Sequence, residues 1–197
     1  MFEQTIGEPL DRRSGSESES FGAGAKTDYF RDPASDNVIA SAPFVYDEVA
    51  GDFTLTVRVE PSFSSTYDAG AILLMSDEEQ WLKFAYELTD IGYPAAVSVV
   101  TRGRSDDCNG EPWRSGSVLY RLSRRGSAVG CYYGERARDL KMHRLLTVPG
   151  EPSASLRLGL SVQSPTGEGC RCSFSEISFE PRPVSDMRRG TMDSPKG

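Results

Sequence analysis

The chain has 197 residues, of which 29 are acidic and 22 are basic, so its formal net charge is −7. This length suits one domain with a sizeable core and is short for two. The acidic balance argues against nucleic acid and anionic membranes as partners, because both are bound mainly through lysine and arginine. No apolar run approaches the roughly 18 residues of a membrane span, and Glu3 and Glu8 interrupt any apolar leader. We therefore expect a cytoplasmic protein whose four cysteines are reduced.

The N-terminal third begins with weak signals and then gives a clear strand. Residues 11–27 are polar and suit a linker, although the alternation within 16–21 also suits an edge strand. Over 53–59, Phe, Leu and Val alternate with Thr and Arg, which predicts a half-buried strand. The continuous apolar run 69–75 follows, and its length predicts a buried strand.

The segment 81–88 predicts a strand with two unlike faces. Its even positions are Leu, Phe, Tyr and Leu and should face the core. Its odd positions place Trp81, Lys83 and Glu87 on the opposite face, with an alanine between the two charges. This second face therefore combines an aromatic ring, a cation and an anion in one row.

The remainder of the chain continues the pattern of short strands. A hairpin turn is predicted at 124–126, prolines end the pattern at 181–183, and the tail 183–197 is predicted to be disordered. The count is ten to twelve strands without a helix, which predicts an all-β, antiparallel sandwich or jelly roll over residues 1–182. The further predicted strands are 95–101, 118–122, 128–133, 140–148, 156–162 and 172–179.

Several short motifs occur in an order that resembles a known family. The most specific is QWLKFAYE at 80–87, where the family pattern has Asn-Trp-x-Lys-x-Gly-x-Glu. Together the motifs resemble the family called domain of unknown function 1349, or DUF1349, which also carries the label regulation of enolase, over residues 16–180. Two positions depart from its pattern, since Ala69 replaces a Gln and Asp107 replaces a Trp. The other motifs are TDYFR at 27–31, FTLTV at 53–57, YDAGA at 67–71, SVVT at 98–101 and SDDC at 105–108.

The resemblance implies a concanavalin A-like sandwich of two curved antiparallel sheets, the fold of lectins and glucanases. It also favours a strand rather than a linker at 16–21. Because one fold hosts many functions, the resemblance alone assigns no activity. If the side chains replaced at Ala69 and Asp107 contact a ligand in the family, this chain binds that ligand differently or not at all.

The preferred hypothesis is a non-catalytic domain that binds a carbohydrate or a sugar-like metabolite on the concave sheet face. Aromatic rings stack on sugar rings, and charged groups hydrogen-bond hydroxyls. A plain alternative is a solvated face with a Lys–Glu pair. The candidate ligand-binding residues are Trp81, Lys83, Glu87, Asp68, Arg102 and Asp106.

Two other functions stay open at this point. A carbohydrate hydrolase would need paired carboxylates, with Glu87 and either Asp106 or Asp68 as weak catalytic candidates. A regulatory protein-interaction domain would follow from the family label, and a protein partner or a homodimer stays open as well. No motif indicates a cofactor.

The remaining reactive side chains have simpler explanations. His143 lies in a predicted strand beside an arginine and is expected to be structural. Cys170 and Cys172 share a strand face without further ligands, so core packing is expected rather than zinc. Residues 106–109 lack a calcium-loop pattern and are expected to form a polar turn.

Overall fold

The computed structural model describes residues 2–151 and 155–193. Within these ranges the chain forms β-strands and no helix, so no helix there is long and apolar enough to cross a membrane. The strands are β1 (Gln4–Ile6), β2 (Leu10–Ser14), β3 (Glu19–Gly24), β4 (Tyr29–Arg31), β5 (Val38–Ala40), β6 (Phe44–Val49), β7 (Phe53–Ser62), β8 (Ala69–Asp77), β9 (Gln80–Leu88), β10 (Pro94–Arg102), β11 (Arg104–Pro112), β12 (Val118–Arg125), β13 (Ala128–Gly134), β14 (Lys141–Thr147), β15 (Leu156–Gln163) and β16 (Gly169–Glu180).

Fourteen of these strands form two antiparallel sheets of seven. The first sheet has the order β1-β6-β15-β8-β9-β10-β11, and the second has the order β14-β13-β12-β7-β16-β3-β2. The remaining strands, β4 and β5, pair with each other as a separate hairpin. The prediction of an all-β sandwich of two antiparallel sheets is confirmed.

The main core lies between the two sheets and follows the predicted alternation. Leu55, Val57 and Val59 of β7 are fully buried in it. Leu82 and Phe84 enter the same core from β9. Period-two side chains therefore send every second residue of β9 to the opposite, outer face of the first sheet.

The outer face of the first sheet is covered in two distinct ways. An aromatic cluster that includes Tyr29, Phe44 and Trp81 lies at one side. Beside it, Ala85 and its neighbours on adjacent strands form a floor of small residues, against which Phe30 packs. Both Tyr29 and Phe30 belong to β4, so this hairpin lies across the outer face.

Three features of the strand pattern differ from the sequence prediction. Sixteen strands occur in the described ranges rather than ten to twelve, because short or polar strands such as β2 carry no apolar alternation. The predicted edge strand at 16–21 corresponds to β3, which lies inside the sheet next to the edge strand β2. The polar segment 104–112, expected to be a turn near 106–109, is the edge strand β11 and pairs with β10.

The C-terminal segment differs from the predicted disorder in its described part. Val184 is fully buried, and its N–H donates to Ser123 Oγ at 2.9 Å. Farther along, the Tyr132 hydroxyl donates to the carbonyl of Met187 at 2.5 Å. Hydrogen bonds between the backbone of residues 184–193 and side chains of the second sheet thus hold this segment in place. Apolar periodicity does not reveal contacts of this kind. Residues 194–197 of the predicted tail lie outside the described residues.

Candidate functional site

A cavity of about 240 Å³ opens on the outer face of the first sheet, beside the β4–β5 hairpin. We call it the Lys83 pocket. Its lining includes Val99, which belongs to the cluster of small side chains around Ala85. Its lining residues are Asp28, Phe30, Tyr67, Lys83, Glu87, Val99, Asp107 and Gln163.

Lys83 is the buried cation at the centre of this pocket. Its side chain is only 3% exposed, and its Nζ donates to Asp28 Oδ1 at 2.7 Å. The same Nζ donates to Gln163 Oε1 at 2.8 Å. Asp28 Oδ1 also accepts the N–H of Tyr29 at 2.7 Å, so the carboxylate is held in place by its own strand. The buried charge is therefore paired and positioned.

Gln163 connects Lys83 to a buried carboxyl. Its Nε2 donates to the carbonyl of Tyr67 at 3.0 Å and lies 3.4 Å from Glu87 Oε2. Burial raises the pKa of Glu87 to about 8, and the nearby positive charge of Lys83 opposes that rise. Glu87 is therefore largely protonated at neutral pH and can donate a hydrogen bond into the pocket.

The mouth of the pocket carries a second acid and an aromatic ring. Asp107 lies on β11 in register with Val99, and Val99 is in register with Lys83, so these three side chains form one row. Partial burial raises the pKa of Asp107, and Lys83 opposes this shift. Tyr67 is 36% exposed and has a positive φ of 71°, a conformation that L-residues rarely adopt. A strained aromatic residue at the mouth of a cavity is a common sign of a functional site.

Of the six predicted ligand-binding residues, the structure brings Lys83 and Glu87 together in this pocket. Asp68 is fully buried and serves the adjacent loop instead. Its Oδ2 accepts the backbone N–H groups of Ser64 and Ser65, each at 2.9 Å, and its Oδ1 accepts Ser164 Oγ–H at 2.7 Å. Asp68 therefore organises the turn that presents Tyr67.

Two other candidates lie away from the pocket. Arg102 is exposed and donates to the backbone carbonyl of Thr147 at 2.9 Å. Asp106 is next to Asp107 on β11 and therefore points to the opposite face, where it lies 3.4 Å from Arg144. Neither Asp68 nor Asp106 lines the pocket that Glu87 lines. The acid that does share the pocket with Glu87 is Asp107.

Trp81 occupies a separate place on the same face of β9. Its ring is fully buried and packs edge-to-face on Tyr29, with 5.8 Å between the ring centroids. It lines a second cavity, on the other side of β4 from the Lys83 pocket. Sequence alternation correctly placed Trp81 and Lys83 on one face, but it did not show that they belong to different cavities.

Comparison with known protein families identifies the family of this chain. The chain belongs to the DUF1349 family. The sequence pattern of that family, described as a protein of unknown function, matches residues 9–182. Of the two departures from the DUF1349 motifs, Asp107 lines the Lys83 pocket, and Ala69 is the strand partner of the lining residue Glu87.

A named yeast protein and a solved yeast structure are similar to this DUF1349 chain. "Regulation of enolase protein 1" of Saccharomyces cerevisiae is 37% identical over 81 residues, which cover 41% of this chain and 40% of the yeast protein. A solved S. cerevisiae protein described as functionally unknown has a TM-score of 0.84 at 23% identity, covering 92% of this chain and 97% of that one. The match to the named yeast protein thus spans well under half of its length.

More distant structures share the fold alone. A Bacteroides ovatus protein described as xyloglucan GH43B has a TM-score of 0.63 at 12% identity, covering 89% of this chain and 40% of that chain. The luminal domain of VIP36, solved with Ca²⁺ and Man3GlcNAc, has a TM-score of 0.54 at 8% identity, covering 93% of this chain and 85% of that chain. These neighbours are β-sandwich proteins, as the DUF1349 fold is.

The pocket-lining residues that the sequence did not single out come from five parts of the chain, namely the 27–31 segment, the loop before β8, and the strands β10, β11 and β15. Asp28 and Phe30 lie within the 27–31 motif, which offered a signal that was not used for the site. Asp107 was noted only as a departure from the family pattern. Tyr67 lies within the 67–71 motif, which was likewise not used for the site. Gln163 had no distinguishing signal, because a single Gln at a strand end is common in any sandwich.

Proposed function

We propose that this chain binds a small, uncharged, hydroxyl-rich ligand, such as a monosaccharide or a related polyol, in the Lys83 pocket. The observation that carries the proposal is the buried network of Lys83, Asp28 and Gln163 lining an open cavity. Buried polar groups placed at fixed positions beside aromatic rings are typical of ligand sites. Here Tyr67 and Phe30 supply the rings and Lys83, Gln163 and Glu87 supply the polar atoms.

The charges of the pocket favour an uncharged ligand over an anion. Lys83 is already paired with Asp28, and Asp107 adds a second acid at the mouth. These carboxylates would repel an anionic group, and the lining has no further cation to compensate the repulsion, since Lys83 is paired with Asp28. The raised pKa of Glu87 makes its carboxyl a donor, which suits a hydroxyl or ring oxygen as its partner. The small volume suits one ring rather than an oligosaccharide.

The shared fold supports the same proposal without assigning it. VIP36 was solved in a Man3GlcNAc-bound form, and the B. ovatus protein is described as a xyloglucan protein. Both descriptions concern those proteins. The likeness makes carbohydrate the first ligand class to test in this chain.

Catalysis is the second candidate, and the presence of Glu87 and Asp107 in one cavity favours it. A protonated acid beside an ionised one is the arrangement that glycoside hydrolysis uses. However, the strand registers place Asp107 opposite Lys83, two strands from β9 and four residues out of line with Glu87. Retaining hydrolysis needs carboxyls about 5–5.5 Å apart, and the sheet does not align this pair. Binding without catalysis is therefore our preferred function.

The proposed compartment is the cytoplasm. All four cysteines lie in the described ranges and are free thiols, three buried and Cys108 exposed. Disulfides are frequent in secreted β-sandwiches and rare in reducing compartments. Fractionation of cells that express the chain from its native locus tests this proposal, and recovery with secreted or organelle proteins would contradict it.

The binding proposal is tested with a thermal-shift screen of neutral monosaccharides and polyols, with sugar phosphates as the charged comparison. A bound neutral ligand at a hundredfold excess over its dissociation constant stabilises the fold by about 2.7 kcal/mol. The diagnostic variant is Tyr67→Gly, because glycine accepts the positive φ and keeps the backbone carbonyl bonded to Gln163. We expect this variant to stay folded and to lose the ligand-induced shift.

The matched control is Tyr93→Gly, which removes a half-buried tyrosine from the same outer face but outside the lining of the pocket. It should keep the shift. Equal shifts in Tyr67→Gly and the wild type would place binding elsewhere. A sugar site would be rejected if no neutral compound shifts the melting temperature and no chromogenic glycoside is hydrolysed. Protein partners would then be tested next.

A further inference from the structure

The second cavity, which we call the Trp81 cavity, has a volume of about 310 Å³. It is lined largely by apolar side chains, among them Ile6, Val38, Met75 and Trp81. Val38 is 46% exposed, so the cavity is open at the side of the β4–β5 hairpin. A bound water occupies about 30 Å³ of liquid volume, so this space is larger than a single water site.

Two buried polar atoms of its lining residues have no hydrogen-bond partner in the described part of the chain. They are Tyr29 Oη and Trp81 Nε1. The two side chains are 2% and 0% exposed. A buried donor without a partner costs the full desolvation of the group, and native proteins keep such groups rare. Both side chains line the cavity, so the two donors without partners belong to its wall, and an acceptor oxygen bound beside them could satisfy both.

The charged groups around the cavity offset one another. Arg31 is paired with Glu79 at 3.0 Å, and Arg157 lies over the ring of Tyr46, 5.8 Å from its centroid. Glu78 also borders the cavity. Burial raises the pKa of Tyr29 to about 12, so its hydroxyl keeps its proton at neutral pH. An occupant thus meets apolar walls, two neutral donors and no excess of one charge.

We propose that the Trp81 cavity binds a small uncharged group that has an apolar part and a carbonyl oxygen, of the amide or ketone type. The carbonyl oxygen accepts hydrogen bonds from Trp81 Nε1 and Tyr29 Oη, and the apolar part packs on Met75 and Val38. This site is separate from the Lys83 pocket and does not depend on the function proposed for it.

The test follows the indole N–H resonance of Trp81 by NMR in a Trp113→Phe background, which leaves one tryptophan. The probes are isobutyramide, isobutanol and isobutyrate, three compounds of similar shape that differ in carbonyl and charge. We expect isobutyramide to shift the resonance and saturate, with the other two at least about threefold weaker. Removing the second donor in Tyr29→Phe should weaken isobutyramide about three- to tenfold, the range of one neutral hydrogen bond.

The control variant is Tyr67→Gly, which alters only the mouth of the Lys83 pocket and should leave the isobutyramide titration unchanged. Failure of sugars to bind the Lys83 pocket therefore has no bearing on this result. The proposal is overturned if no probe moves the Trp81 resonance at millimolar concentration. It is also overturned if Tyr29→Phe binds isobutyramide as the parent does, or if a high-resolution structure with the probe shows ordered water only on both atoms.

Discussion

The Lys83 pocket and the Trp81 cavity lie on the same face of the first sheet and share the strand β9, yet they treat buried polar groups in opposite ways. In the pocket, the Lys83 ammonium contacts both an acid and an amide oxygen. In the cavity, Trp81 Nε1 and Tyr29 Oη have no partner among the described residues. Lys83 and Trp81 lie on the same face of β9, yet they differ in their hydrogen-bond partners, because different residues of the covering segment lie above them.

Residues 28–31 produce this difference by their own alternation. Asp28 and Phe30 line the Lys83 pocket, whereas Tyr29 and Arg31 line the Trp81 cavity. The segment thus forms a wall between the two cavities, with successive side chains entering opposite ones. We expect changes on one side of this wall to affect stability and binding differently from changes on the other.

The largest effect is expected for Lys83→Met. The substitution leaves the buried Asp28 carboxylate without its cation, and breaking a buried ion pair typically costs about 3–5 kcal/mol. Urea unfolding at pH 7 measures this loss. The double variant Lys83→Met/Asp28→Asn should recover more than half of it, because no charge is then left unpaired.

The matched control for this change is Lys141→Met on the second sheet, where the lysine is about half exposed. Exposed ion pairs contribute about 0–1 kcal/mol, so a small loss is expected. If Lys83→Met costs no more than Lys141→Met, the network of the Lys83 pocket does not stabilise the fold and the contrast between the cavities disappears.

The next effect is the pH dependence conferred by Glu87. Its pKa is raised from 4.5 to about 8 in the fold, so the unfolded chain releases this proton first as the pH rises. The contribution of Glu87 to stability is therefore fully present below pH 4.5 and is lost as the pH rises to about 8. Glu87→Gln keeps the neutral form at every pH. Between pH 4.5 and pH 9 it should therefore gain about 5 kcal/mol of stability relative to the wild type, since one pKa unit corresponds to about 1.4 kcal/mol.

The measurement is the difference in unfolding free energy between Glu87→Gln and the wild type from pH 4.5 to 9. Taking the difference removes other titrating groups, such as His143, whose pKa burial lowers to about 4. Glu135→Gln, at an exposed turn, is the control and should show no trend. A flat difference for Glu87→Gln would mean that the carboxyl is ionised in the fold.

The smallest effect is expected on the other side of the wall. Tyr29→Phe removes a hydroxyl that has no partner, so stability should stay the same or rise by up to about 1 kcal/mol. Tyr120→Phe is its matched opposite, because the Tyr120 hydroxyl is buried and donates to the carbonyl of Ala85 at 2.7 Å. That variant should lose about 1–2 kcal/mol. Equal losses in the two variants, measured by urea unfolding, would show that the Tyr29 hydroxyl is satisfied.

The sequence was enough to predict the fold and two of the eight residues that line the Lys83 pocket, and the physical reasons lie in single strands. Alternation in 81–88 was enough to place Lys83 and Glu87 on the outer face and Leu82 in the core. Both observations depend on local geometry only, since side chains of a strand alternate whatever the strand pairs with. The cysteines at 170 and 172 were likewise expected in the core and are buried there.

The rest depended on strand pairing, which sequence patterns do not report. Asp106 and Asp107 are adjacent and equally acidic, and only the register of β11 against β10 decides that Asp107 enters the pocket. Gln163 reaches Lys83 from β15, 80 residues later in the chain. Trp81 was expected beside Lys83, and it is separated from it because β4 crosses between them.

The most direct test of the central claim is a crystal structure of the wild type soaked with the neutral sugar that gives the largest thermal shift. We expect density for one sugar ring in the Lys83 pocket, within hydrogen-bond distance of Lys83, Gln163 or Glu87, and beside the ring of Tyr67. The Trp81 cavity should hold no sugar, because its apolar walls leave most hydroxyls without partners. Sugar density in the Trp81 cavity, or on another surface while the Lys83 pocket holds only water, would contradict the proposed sugar site in the Lys83 pocket.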